Sequence, residues 1–158
     1  MTSFIGDHKC KVDAKGRIML PSAFKKQLSP QSNDRFIVKM DIYEKCLVLY
    51  PWDEWQRQHK IIRKNINTFN QDHNKFLREF SKGSAEINID SNNRILISKR
   101  LFDKAEINKE VVLIGLFGKI EIWSKELYDS SGITGKDFAK LADKILGGSI
   151  NYNDEDIS

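Results

Sequence analysis

Along the first fifty residues the apolar positions fall in short, strand-length runs; between residues 52 and 80 they switch to three-and-four spacing. Residues 9–12 and 17–20 read as strands flanking Asp13-Ala-Lys-Gly16. The glycine supplies the positive φ of a tight reversal, so the segment predicts a β-hairpin. Pro21-Ser22 opens a short helix with Phe24 and Leu28 one turn apart, and Ser29-Pro30 ends it. Residues 35–40 and 46–50 predict two further strands joined by 41–45. After Pro51, Trp52, Trp55, His59, Ile62 and Ile66 mark one face of an amphipathic helix. An asparagine-rich break over 65–74 overlaps the start of a second helical face, made by Phe69, His73, Phe76, Leu77 and Phe80 and closed by Gly83-Ser84.

The strand pattern then returns. Residues 86–89 and 95–97 flank Asp90-Ser-Asn-Asn93, Ser98 caps a helix carrying Leu101 and Ala105, and 111–116 with 119–123 predict a hairpin around Phe117-Gly118. A last helix is expected over 136–146, with Phe138, Leu141, Ala142 and Ile145 on one side and Gly147-Gly148 beyond it. The second series restates the first. Asp13-Ala-Lys-Gly-Arg17 precedes Ile-Met-Leu-Pro, and 77 positions later Asp90-Ser-Asn-Asn-Arg94 precedes Ile-Leu-Ile-Ser. Asn93 stands where the first copy has Gly16, and asparagine is the next-best occupant of a left-handed turn position. Two copies that each bury a face poorly alone are expected to complete one core together, residues 1–50 sharing it with 86–128.

The 158 residues, 40% hydrophobic and 30% charged, fit one soluble globular domain. No apolar stretch approaches the roughly 20 residues of a membrane span, and the N-terminus lacks the pattern of a signal peptide. Two cysteines, Cys10 and Cys46, make no disulfide framework, so a reducing cytoplasm is expected. The net charge is +4, and the tail 153–158 holds Asp154, Glu155 and Asp156 with no base, leaving a more basic body. Such a body suits an anionic partner, nucleic acid first.

Within that body the arginines of the two cassettes are the leading candidates. Each follows a tight turn on a β-scaffold, which fixes a planar guanidinium fork suited to phosphate or to the O6/N7 edge of guanine. Lys15 at the first turn, Lys9 and Lys11 on the preceding strand, and Lys99 and Arg100 after the second cassette are candidate phosphate contacts. Asp13 and Asp90, with Gly16 and Asn93, are expected to shape the turns, since a carboxylate repels phosphate. The bland reading of each Arg–Asp pair is a structural bridge on a hairpin. His8, His59 and His73 have no metal-ligand spacing, and His59 and His73 read as packed core histidines. Trp52, Trp55, Phe69, Phe76 and Phe80 read as helix packing rather than base stacking. No phosphate-cradling glycine loop or nucleophile motif is present, so neither a catalytic residue nor a metal or cofactor is expected.

The same residues carry a family resemblance. Phe4-Ile-Gly6, Asp13-Ala-Lys-Gly-Arg17 with Leu20-Pro21, Phe76-Leu-Arg-Glu-Phe80-Ser-Lys-Gly-Ser-Ala85, Asp90 through Arg94-Ile-Leu-Ile97, Val111-Val-Leu-Ile-Gly115 and Ile120-Glu-Ile-Trp123 resemble MraZ proteins, of the SpoVT/AbrB-like swapped-hairpin group of bacterial transcription regulators. The resemblance covers most of residues 4 to 128; the chain departs from the pattern at Asn93, where glycine is usual, and at Ser98, where proline is usual. It implies an α+β, β-rich fold in which two AbrB-like hairpin units intertwine into one pseudo-twofold β-barrel with short connecting helices. Repeat one would run over about 4–55, a helical connector over about 52–82 and repeat two over about 83–128, with a C-terminal helix and acidic tail over 129–158. It further implies a ring of subunits that binds promoter direct repeats in double-stranded DNA and represses the division and cell-wall gene cluster, with the Asp13/Arg17 and Asp90/Arg94 loops on the DNA. Such a protein is expected in the cytoplasm, associated with the nucleoid, without a membrane or small-molecule partner. The alternatives are an antitoxin-like AbrB relative that also binds a protein, and, more distantly, an enzyme on a β-barrel.

Overall fold

The computed structural model describes residues 3–147; the tail acids Asp154, Glu155 and Asp156 lie outside the described residues. The chain runs β1 (Asp7–Lys11), β2 (Arg17–Met19), α1 (Ser22–Gln27), a 3-10 turn (Pro30–Ser32), β3 (Arg35–Met40), β4 (Leu47–Pro51), α2 (Trp52–Asn65) and α3 (Gln71–Ser81). It continues with β5 (Ala85–Asn88), β6 (Arg94–Leu96), α4 (Lys99–Lys104), β7 (Glu110–Leu116), β8 (Lys119–Ser124), α5 (Lys125–Ser130) and α6 (Gly135–Leu146). The expected elements are present and the fold is α+β. The chain falls into two compact units, the first Met1–Tyr128 and the second Asp129–Ser158.

Six strands form an antiparallel sheet in the order β1-β7-β8-β4-β3-β5, and β2 pairs with β6 in a separate two-stranded ribbon. Exchanging the repeats turns the six-strand order into its own reverse. Strands of the two copies therefore interleave: β1 lies on β7, β5 on β3, and β4 meets β8 at the centre with Leu47 opposite Ile122 and Leu49 opposite Ile120. All four of those side chains are fully buried. They join Ile18, Phe24, Phe36, Ile95, Leu101, Val111 and Leu113 in one cluster drawn from both repeats.

Two expectations about the strands need correction. The arms around Asp13–Gly16 do not run on as a hairpin: they touch at a single bridge, Val12 to Ile18, and then part, β1 to the sheet and β2 to the ribbon. The turn is local, but the apolar face of each arm finds its complement on the other repeat. Among the described residues no sheet closes into a barrel; β1 and β5 remain the edges of the six strands. The ribbon is tied in through Ile18 and Ile95, which point into the same core.

Two close approaches position these parts. A Cβ on Gly115 would lie 2.5 Å from the backbone of Phe4, so only glycine lets the N-terminal segment cross β7. There Phe4 N–H donates to Phe117 O at 2.7 Å and Gly115 N–H to Gly6 O at 2.9 Å. Helices α2 and α3 contain no fully buried residue. They meet through aromatic rings, Trp55 stacking on Phe80 at 5.8 Å, with Phe76 of the same helix as Phe80 beside it at 5.6 Å. They reach the sheet through Arg35, over the Trp52 ring at 3.7 Å, and Lys39, whose Nζ is 3.7 Å from the Phe80 centroid. The packing expected of the aromatics holds for Trp55, Phe76 and Phe80. It fails for Phe69, which precedes α3 and is 99% exposed. His59 is exposed, and the half-buried His73 accepts a bond at Nδ1 from Asn67 N–H, closing the interhelical loop. Neither is a core histidine.

The second unit contains α6, capped by Thr134, whose hydroxyl accepts from Asp137 N–H at 3.1 Å. Its Phe138, Leu141 and Ile145 are exposed.

Candidate nucleic-acid interface

The two cassette turns are built alike. Asp13 N–H donates to Arg17 O at 2.9 Å and Gly16 N–H to Asp13 O at 3.1 Å; Asp90 and Asn93 make the matching bonds at 2.9 and 3.0 Å. Each aspartate then gathers the turn around its carboxylate. Asp13 Oδ1 accepts from the backbone of Lys15 and of Arg17, both at 2.9 Å, while Asp90 Oδ1 accepts from Asn92 at 2.8 Å and Arg94 at 2.9 Å. The other oxygen takes the arginine Nε, at 2.8 Å for Arg17 and 3.0 Å for Arg94. Gly16 sits at φ +84° and Asn93 at φ +61°, so asparagine fills the left-handed position that glycine fills in the first copy. The backbone bond from each arginine, helped by the guanidinium, holds the Asp13 and Asp90 carboxyls below the ordinary aspartate range.

Aspartate thus shapes the turn and aims the arginine. Because Nε alone takes the carboxylate, the bond leaves the two terminal amino groups of each guanidinium outside it. A fork held at its base with its tip outside the ion pair is ready for a second anion or a base edge.

The β2–β6 register brings the cassettes together. Arg17 lies opposite Leu96, Ile18 opposite Ile95 and Met19 opposite Arg94. Bonds from Leu20 N–H to Asn93 O at 2.8 Å and from Ile97 N–H to Gly16 O at 3.1 Å extend the ribbon at both ends. Side chains alternate across a strand, so with Ile18 and Ile95 in the core, Arg17, Met19, Arg94 and Leu96 share the outer face. Strand spacing of ~4.8 Å and a two-residue rise of ~7 Å place the backbones of the two arginines on the order of 8 Å apart, diagonally across the ribbon.

Lys15 is exposed at the tip of the first turn, and Lys9 and Lys11 are exposed on edge strand β1. Both strand lysines line a shallow cleft of about 370 Å³ with His8, Met19, Pro21 and Ser22, which connects them to the ribbon face. In the second repeat the equivalent strand positions are Glu86 and Asn88, and Arg35 Nη1 neutralises Glu86 at 3.2 Å. The base there comes from α4, where Lys99 and Arg100 are exposed in the first turn after Ser98. Ser98 caps that helix as expected, accepting from Leu101 N–H at 3.4 Å. Sequence reasoning did not single out Met19 and Leu96. Their signal was the alternation itself, which gives each ribbon strand one apolar residue too many for the core.

A further grouping was invisible to sequence spacing. Asp41, Cys46 and Glu121 place one ligand-type atom each within 4.8 Å of the others. The carboxylates are already engaged, Asp41 by Tyr43 and Glu44 N–H and Glu121 by the Trp123 indole. Burial, reinforced by those acids, pushes the Cys46 thiol far up and keeps it protonated. The group reads as a structural corner between β4 and β8.

The family model described as "MraZ protein, putative antitoxin-like" matches residues 3–79 and 80–132, one match falling on each repeat. A protein of Christiangramia forsetii called "Transcriptional regulator MraZ" is 42% identical over 148 residues, which is 93% of this chain and 95% of that protein. One of the same name from Phocaeicola vulgatus is 41% identical over 96% of this chain and 99% of its own length. Another from Clostridium tetani is 36% identical over 90% and 96%.

Proposed function

The chain belongs to the MraZ family, and from that premise we propose that it is a sequence-specific DNA-binding transcriptional regulator rather than an enzyme. The observation that carries the reading is the outer face of the ribbon, where two carboxylate-anchored arginines point away from the core. The major groove is about 12 Å wide and admits a two-stranded ribbon. The spacing of the arginines matches two or three base steps of ~3.4 Å. Arg17 and Arg94 engage guanine edges; Lys15, Lys9, Lys11, Lys99 and Arg100 engage flanking phosphates; Asp13, Gly16, Asp90 and Asn93 hold the turns. We read sheet and ribbon together as an AbrB-like swapped-hairpin unit over residues 1–128, with 129–158 an appendage.

The regulator acts as a repressor of the division and cell-wall genes, in the cytoplasm and on the nucleoid. No helix among the described residues is long and apolar enough to cross a membrane. One copy with so modest a charge holds DNA weakly at physiological salt, so copies join in a ring and bind repeated boxes together. The α2–α3 pair supports such assembly: it leaves an open groove of about 500 Å³ lined by Trp55, His59, Ile62, Ile66, Leu77 and Phe80. The test is a gel-shift titration of the double variant Arg17→Ala/Arg94→Ala against DNA upstream of its own gene, with circular dichroism to confirm folding. Each lost bidentate contact costs about 1–3 kcal/mol per engaged subunit. A folded double variant that binds as the parent does would return both arginines to structural bridges.

A further inference from the structure

We infer that Met19 and Leu96 are specificity-determining residues that read thymine, each through an apolar contact with the 5-methyl group that only thymine presents in the major groove. The inference rests on the DNA-binding reading above and adds a base to it. Both side chains sit on the outer ribbon face, 54% and 56% exposed, while their neighbours Ile18 and Ile95 are fully buried. The two strands present the same order, an arginine and then, two residues on, an unbranched or γ-branched apolar residue. Solvated strand faces ordinarily carry polar groups at such positions. Here one of the two apolar residues on each strand is turned outward, beside the guanidinium groups.

The register makes the arrangement specific. Met19 is the direct cross-strand neighbour of Arg94, and Leu96 of Arg17. Opposed residues hold their Cβ atoms about 5 Å apart, so each arginine and its apolar partner address positions about one to one and a half base steps from each other. Each pair therefore recognises a guanine with a thymine beside it. Surrounding charge identifies the occupant: Lys9 and Lys11 share the cleft that Met19 lines, and an apolar spot ringed by arginine and lysine fits a polyanion with methyl groups on its surface.

The experiment begins with selection from a pool of random-sequence duplexes, using the full chain and the double variant Met19→Ala/Leu96→Ala. The enriched duplex is then made with deoxyuridine in place of the selected thymines, which removes only the methyl groups. The parent chain is expected to enrich guanine with an adjacent thymine and to lose roughly fourfold in affinity per methyl removed. The alanine variant is expected to keep its guanine requirement and bind both duplexes equally. The volume-conserving exchange Met19→Leu/Leu96→Met is expected to restore the methyl preference, a recovery that damage to the fold would not give. A parent chain indifferent to deoxyuridine, or an alanine variant with the parent's preference, overturns the inference and leaves DNA binding standing. A parent chain that enriches no sequence overturns the DNA-binding reading with it.

Discussion

Gly16 and Asn93 occupy equivalent turn positions but answer to different constraints. At Gly16 a Cβ would lie 3.0 Å from Ile97 O, in a backbone held at φ +84°. Gly16→Ala is therefore expected to lose about 1–2 kcal/mol, and Asn93→Gly to stay within about 0.5 kcal/mol of the parent, both read from urea unfolding. The aspartates set the pH response of the same turns. Their carboxyls are held below the ordinary aspartate range, so the stability they contribute is complete above that range and is lost as pH falls through their lowered values. Melting temperature should thus decline below about pH 4, and the pair Asp13→Asn/Asp90→Asn should flatten that part of the profile. An unchanged slope in the double variant would place the acid sensitivity elsewhere.

At the scale of elements, the strands, turns and helices were legible because the cassette repeats and each copy carries its own local signals. The geometry of the candidate site was legible for the same reason: Asp-x-x-x-Arg encodes turn and fork together, and nothing distant is needed to form either. Pairing was not legible. The Asp13–Gly16 turn has every local mark of a hairpin, yet Val12 to Ile18 is the single bridge between its arms. The six-residue α5 was missed because it follows β8 without a break; its signal was Ser124, whose hydroxyl accepts from Leu127 N–H at 3.0 Å. Burial also ranks the elements. Helices α2 and α3 bury no residue fully, whereas β4, β7 and β8 supply much of the core. Amide hydrogen exchange should therefore protect the β4–β8–β7 ladder longest and release α2 and α3 well before it. Equal protection of helices and ladder in the isolated protein would contradict this ranking of burial.

For the whole molecule, interleaving makes the halves interdependent. Separately expressed fragments 1–82 and 83–158 are each expected to lack cooperative unfolding, and to regain it when mixed; a fragment that melts cooperatively alone would show that a single repeat suffices. Light scattering tests the assembly: a species near 18.3 kDa at micromolar concentration counts against the ring. The ribbon has one more consequence, in time rather than in space. β2 leaves the ribosome early, but its partner β6 is made only after the connector and β5. Until then Arg17 can sit in a finished turn while the face that needs Arg94 beside it does not exist. On the proposed reading, a chain abandoned in mid-translation would carry one arginine fork without the face that Arg94 completes, and the order of synthesis itself would keep incomplete copies from competing for DNA.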